Sequence, residues 1–302
     1  GPPCQAYSVA GRIRDENGMH EDYRNYLFES YMAVVDHFKP AACIFENVPG
    51  MLSAAPGGVS IIDRISAAFR KSGYDISSDF KGQATLDVSE FGVPQKRKRV
   101  IIAAFRRDIH KNSTEVVNAF YSNLSLEKTP IITTVNDAIG GLPKLYPIKG
   151  ANGKKSHTED ELNFVADHEP RFHSQRDIEI FEILAEDIAS GLNKYTSSDA
   201  LKALYTEKTG KKSAVHKYYV LRESKPSNTI PAHLYKDGLR HIHPDAKQAR
   251  SITVREAACL QSFDLDFKFK GPNGSKYKMI GNAVPPLFAE KIGKALSIVL
   301  NN

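Results

Sequence analysis

The chain has 302 residues, 41% hydrophobic and 25% charged, an ordinary globular composition that argues against collagen, a disordered tail or a membrane protein. Its length suits about two domains, and no stretch approaches the roughly 18 consecutive apolar residues of a membrane-spanning helix. Forty-one Lys and Arg against 35 Asp and Glu leave a net charge of +6, which fits a polyanionic partner and fits a merely basic surface equally well.

Leu27, Tyr31, Val34, Val35 and Phe38 recur at helical spacing, and Pro40 stops that helix. Ala42 to Phe45 is a short apolar run suited to a buried strand ending at Glu46-Asn47. Ile61, Ile62, Ile65 and Phe69 predict a second helix, with Gly73 as its C-terminal cap. Residues 74–88 read as a strand pair, and Val100 to Phe105 as another apolar strand. Strands alternating with helices predict an α/β fold with a mostly parallel sheet covered on both faces. From about residue 134 the texture turns polar and loop-like, with helical patterns at 178–188 and 200–204. Near residue 251 a core-like pattern returns. Thr253-Val254-Arg255-Glu256 predicts a capping box opening an amphipathic helix through Gln261, and an apolar helix over roughly 284–299 ends the chain.

Several segments carry chemistry. Cys4 follows two prolines, whose fixed dihedrals can aim a thiol at a substrate, although an isolated cysteine also serves as a small buried hydrophobe. Three widely separated cysteines (Cys4, Cys43, Cys259) point to a reducing compartment rather than a disulfide scaffold. Glu46 stands at the carboxyl end of a predicted strand, where open α/β sheets place their sites, and can be either a cap or a working acid. In Gln95-Lys96-Arg97-Lys98-Arg99, strand alternation puts Gln95, Arg97 and Arg99 on one face, suited to a phosphate or a base oxygen; a solvated basic edge has the same composition. Arg255 to Gln261 alone reads as core, and Gly281 to Pro286 alone reads as a tight turn.

Taken in order, Pro3-Cys4, Glu46-Asn47-Val48, Gln95-x-Arg97-x-Arg99, Arg255-Glu256-x-x-x-Leu260-Gln261 and Gly281-Asn282-x-Val284-x-Pro286 resemble the ordered motifs of the DNA cytosine-5 methyltransferase family over essentially the whole chain except the variable inserted region. The resemblance implies a Rossmann-like methyltransferase sheet with an inserted smaller target-recognition domain. Residues 1–133 and 251–302 would form the catalytic domain and 134–250 the insert. It implies Cys4 as the nucleophile, Glu46 as the group that bonds and protonates the ring nitrogen, and Arg99, supported by Arg97, as the holder of the base carbonyl. S-adenosylmethionine would be the methyl donor, touched by Pro3, Leu27, Asn282 and Ala283. Duplex DNA would be the substrate, with Gln5, Ser8, Arg12 and Gln95 as contacts. Residues 5–26 are similar to the family's active-site loop. Lys154, Lys155, Lys211, Lys212, His233, His241 and His243 in the insert can face DNA or solvent.

The family's first motifs, a strand and glycine-rich turn for the cofactor, have no counterpart here. The expected sheet therefore lacks its first strands and exposes apolar surface. The missing cofactor-binding segment is expected as a partner, in cis or as a second chain, in an enzyme without membrane contact that, if prokaryotic, is cytoplasmic and nucleoid-associated. Two other functions share this reading of the sequence: a catalytically silent DNA-specificity subunit, and RNA cytosine methylation on the same scaffold.

Overall fold

The computed structural model describes residues 27–110, 112–150, 155–158, 163–214, 217–236 and 238–301. These divide into two compact units. The first contains the described residues up to Phe91, Arg97–Lys128 and the stretch from Glu290 on; the second contains Gly92–Lys96 and Thr129–Ala289. Among the described residues no helix is long and apolar enough to cross a membrane.

The first unit opens with helix α1 (Leu27–Phe38), strand β1 (Ala42–Asn47), helix α2 (Ile61–Lys71) and the short strands β2 (Tyr74–Ile76) and β3 (Thr85–Asp87). Strand β4 (Lys98–Arg106) and helix α3 (Ser113–Leu126) follow. Ser60 caps α2 by accepting from the Asp63 amide, and Gly73 beyond its C-terminus takes φ +86°, the left-handed region where glycine carries no penalty. The expected parallel sheet is corrected here: β1, β2 and β3 all pair with β4, and every one of these pairings is antiparallel. The β1–α2–β2 crossover does set β1 and β2 in the same direction, as helix–strand alternation requires, but β4 occupies the place between them. The predicted strand pair at 74–88 is instead one interrupted strand, since β2 and β3 lie in succession along β4 rather than against each other. Tyr121 serves the interruption. Its hydroxyl accepts from the Ala103 amide at 3.2 Å and donates to the Ile101 carbonyl at 2.8 Å, and burial pushes its pKa up to about 12.

The Val100–Phe105 run is completely buried, which explains why it reads as continuous apolar sequence rather than as alternation. Phe45, paired with Ile102 on one sheet face, meets Tyr31 and Phe69 of α1 and α2 edge-on. Phe105, on the opposite face, packs on Phe120 of α3. Val34 and Phe38 of α1 stay exposed.

The second unit contains α4 (Val135–Ile139), α5 (Gln175–Ala189), α6 (Ser198–Thr209), α7 (Val254–Leu260) and α8 (Asn273–Asn282); α9 (Pro286–Leu300) begins in it. One apolar cluster joins α4, α7 and α8 through Val135, Val254, Leu260 and Ile280. Another joins α5 and α6 through Phe181, Leu184, Leu201 and Leu204. Helix α7 departs from its amphipathic expectation, because all seven residues are buried. Its polar members can go inside because each is paired. Glu256 closes the predicted capping box with Thr253 and takes both guanidinium nitrogens of the buried Arg250 at 2.7 and 2.6 Å. Arg255 donates to the carbonyls of Ala166, Asp264 and Phe267.

Three buried or half-buried histidines surround that ion pair, and the backbone fixes the charge of two. Ser251 N–H donates to His173 Nε2 and Asp245 N–H to His243 Nδ1, so both rings are neutral, since imidazolium offers no acceptor. Burial takes His157, His173 and His243 from 6.5 down to about 4, helped at His173 by the neighbouring His157 and opposed at His243 by Glu256. Burial alone would raise the Glu256 carboxyl, but Arg250 outweighs it and holds the group far below the usual carboxylate range. The unfolded chain therefore binds more protons below pH 6.5, and stability falls as the pH drops from 6.5 to about 4. Each histidine costs about 1.4 kcal/mol per pH unit in that window. A urea midpoint unchanged from pH 6.5 to 4 would contradict this placement.

Candidate active site

In the first unit, β1 ends on Glu46 and Asn47, and register sets Glu46 opposite Ile101 and Asn47 opposite Val100. Arg99 lies at the start of β4, so its long side chain reaches back to the end of β1. Arg99 Nε meets Glu46 Oε1 at 2.8 Å, with side chains 11% and 21% exposed, and Arg99 Nη1 donates to the Lys98 carbonyl. The result is a carboxylate and a guanidinium held together at a partly open strand end. An acid that can bond a ring nitrogen and a fork that can hold a carbonyl oxygen are thereby placed side by side. Asn47 is fully buried, and its Oδ1 accepts from the Val48 amide, fixing the turn that leaves the strand. Arg97 is buried as well, with its backbone amide on Asp87 Oδ1 and its carbonyl on Val88.

Burial alternates over 95–99: Gln95, Arg97 and Arg99 are buried, while Lys96 and Lys98 are exposed. Gln95 belongs to the second unit. Its carboxamide is spent inside the protein, accepting from Ile230 N at 3.0 Å and donating to Leu260 O and to Gln261 Oε1. The backbone beside it is tied to 227–229 by Ser227 N on Pro94 O, Lys96 N on Ser227 O and Thr229 Oγ1 on Lys96 O.

The turn expected at 281–286 starts inside a helix, since Gly281 and Asn282 are the last residues of α8. Gly281 is required there by proximity, because a Cβ would lie 2.4 Å from Ala232 N and 2.5 Å from the Pro231 carbonyl carbon. Asn282 is exposed, and its carboxamide makes no hydrogen bond among the described residues, while Ala283 caps the helix through its amide. Leu27, in the first unit, is half-buried at the start of α1.

Pro3, Cys4, Gln5, Ser8 and Arg12 lie outside the described residues, as does Lys154. The other two thiols are unsuited to nucleophilic work: burial pushes Cys43 and Cys259 up to about 11, only partly offset by Tyr31 at the first and Arg255 at the second. His241 and His243 are buried rather than surface groups. The reading of the sequence missed Arg250 and the internal role of Gln261. The capping box gave Glu256, but no local signal marks the arginine six residues before it as its partner.

Residues 1–297 match the C-5 cytosine-specific DNA methylase family. The Type II methyltransferase M.Bpa9945I of Bacillus paralicheniformis is 36% identical over all of this chain and 70% of its own length. The Type II methyltransferase M.AgeI of Thalassovita gelatinovora is 28% identical, over all of this chain and 82% of its own. Among solved structures, a prophage-encoded E. coli protein assigned to the DNA modification methyltransferases superposes with a TM-score of 0.63 at 22% identity, covering all of this chain and 78% of its own. The S. pombe Dnmt2 methyltransferase gives 0.52 at 16% identity, covering 94% and 75%. The fold is accordingly α/β and Rossmann-like.

Proposed function

Because this chain belongs to the C-5 cytosine-specific DNA methylase family, we propose that it methylates carbon 5 of a flipped-out cytosine in a specific duplex DNA sequence through a covalent adduct of Cys4. The observation that carries the proposal is the Glu46–Arg99 pair at 2.8 Å on neighbouring strands. Cytosine carbon 5 is too poor a nucleophile to take a methyl group unaided. The Cys4 thiolate adds to carbon 6, forming a carbon–sulfur bond and pushing the ring's electrons toward carbon 5. Glu46 bonds and protonates ring nitrogen 3, and Arg99 holds the carbonyl oxygen, stabilising the charge that the addition creates. After methylation a base removes the proton at carbon 5, the carbon–sulfur bond breaks and the thiolate departs. The reacting edge is stacked inside duplex DNA, so the nucleotide must first leave the helix.

S-adenosylmethionine supplies the electrophilic methyl group when bound. Asn282, Ala283, Leu27 and Pro3 are the residues assigned to its edges, together with an upstream cofactor-binding segment supplied in cis or by a second chain. Residues 134–250 are assigned to target recognition, with 1–133 and 251–302 as the catalytic domain. Gln5, Ser8, Arg12 and Gln95 are the residues assigned to DNA contact; the Gln95 carboxamide is buried and bonded inside the protein, so it would act there only indirectly. The relatives' names as Type II methyltransferases favour a place in a restriction–modification system; a bacterial cytoplasm is the setting assigned to it.

The test is labelled-methyl transfer from S-adenosylmethionine to mixed-sequence duplex DNA, by this chain alone and then with the upstream cofactor-binding segment. Transfer in the mixture is the expected result. Transfer by this chain alone would overturn the cofactor assignment, and transfer to tRNA but not to duplex DNA would overturn the substrate. DNA binding with no transfer in any combination would make the chain a silent specificity subunit.

A further inference from the structure

Gln261 caps the C-terminus of α7 and is completely buried. Its Oε1 accepts from Gln95 Nε2 at 2.5 Å and its Nε2 donates to the Ala283 carbonyl at 2.7 Å. The orientation of both carboxamides is forced by their other neighbours. Ile230 N–H can only donate, so it fixes Gln95 Oε1; the Leu260 and Ala283 carbonyls can only accept, so they fix the two Nε2 groups. Ser262 adds a second grip. At φ +64° it reverses the chain after the helix, and its Oγ accepts from Leu287 N at 3.2 Å, so consecutive residues hold both ends of the 283–287 turn. All of these residues belong to the second unit. Removing one carboxamide takes a hydrogen bond from the buried carboxamide of the other, which costs more than the bond was worth.

We propose that Gln261 is a positioning residue that couples Gln95, two residues ahead of Arg97 in the chain, to the Asn282–Ala283 turn, so that a change on the Gln95 side alters binding at the turn. This rests on the assignment of that turn to the cofactor, made above. The relay needs a group that accepts at one end and donates at the other, which is why a carboxamide stands at 261 and why an apolar residue of the same length breaks it.

The experiment compares Gln95→Met, Gln261→Met and the double variant, each in the assembly that transfers methyl groups, by calorimetric binding of S-adenosylhomocysteine and by steady-state kinetics. Tyr277→Phe is the control. It removes a buried hydroxyl bond to the Ile252 carbonyl in the same unit without touching the relay. Each single variant is expected to weaken binding about 5- to 30-fold, and to raise KM for S-adenosylmethionine more than it lowers kcat. The double variant is expected to be no worse than about the weaker-binding single, the signature of one shared path. Tyr277→Phe should bind within about twofold of wild type even where its melting temperature falls as far. Wild-type affinity in Gln95→Met, additive losses in the double, or an equal loss in Tyr277→Phe would overturn the relay. A wild-type assembly that binds no S-adenosylhomocysteine would instead overturn the function on which it rests.

Discussion

Cys4→Ser is expected to lower methyl transfer by at least about 10⁴-fold while leaving DNA affinity within a few-fold. An alcohol at that position is not ionised near neutral pH, so the bond to carbon 6 does not form and carbon 5 stays inert. No other thiol can substitute. Cys43 and Cys259 are held protonated by burial, each pushed up to about 11. Binding should survive because DNA affinity rests on phosphate and base contacts spread over many residues. Duplex DNA carrying 5-fluorocytosine gives a direct readout: with cofactor and the upstream cofactor-binding segment supplied, the wild-type protein should be trapped covalently, because fluorine cannot leave as the proton does, and Cys4→Ser should not. Wild-type turnover in Cys4→Ser would remove the nucleophile from the mechanism, and failure of the wild-type protein to trap would favour a silent specificity subunit.

Arg99→Ala should reduce turnover by about 10²- to 10³-fold, the range for losing one preorganised donor to a developing charge. Two losses combine: the carbonyl oxygen of the base loses its fork, and Glu46 loses the partner that orients it at 2.8 Å. Arg99→Lys keeps the charge without the planar fork and should recover only part of the rate. Lys154→Ala is the contrast. A lysine that meets a phosphate contributes charge rather than geometry, so its loss should reduce the salt slope of DNA binding by about one and leave kcat near wild type. Equal effects of Arg99→Ala and Lys154→Ala on kcat would undo this division.

Much of the fold can be read from short-range pattern. The helix from Leu27 to Phe38, the Thr253 cap and the buried Val100–Phe105 strand are all local, depending on spacing and on a few capping side chains. Strand direction is not local. Helix–strand alternation gives β1 and β2 a common direction but cannot reveal that a later strand settles between them, and there the parallel expectation failed. The same limit governs the site. Glu46 and Arg99 each stand at the end of an apolar run and are recognisable separately, and alternation over 95–99 predicts which side chains turn inward. The Gln95–Gln261 bond joins residues 166 positions apart, and Arg250 appears as an ordinary surface cation until its partner Glu256 is seen beside it. Buried polar pairs of this kind leave no periodic trace, because each member alone looks like a residue that belongs outside.

The comb of burial from Gln95 to Arg99 separates two kinds of inheritance within five residues. Lys96 and Lys98 point outward, so their identities can drift, and the electrostatic reach of the surface can drift with them. The three positions between and beside them are committed to fixed shapes. A lineage can thus change the charge on this edge without disturbing the buried side chains beside it.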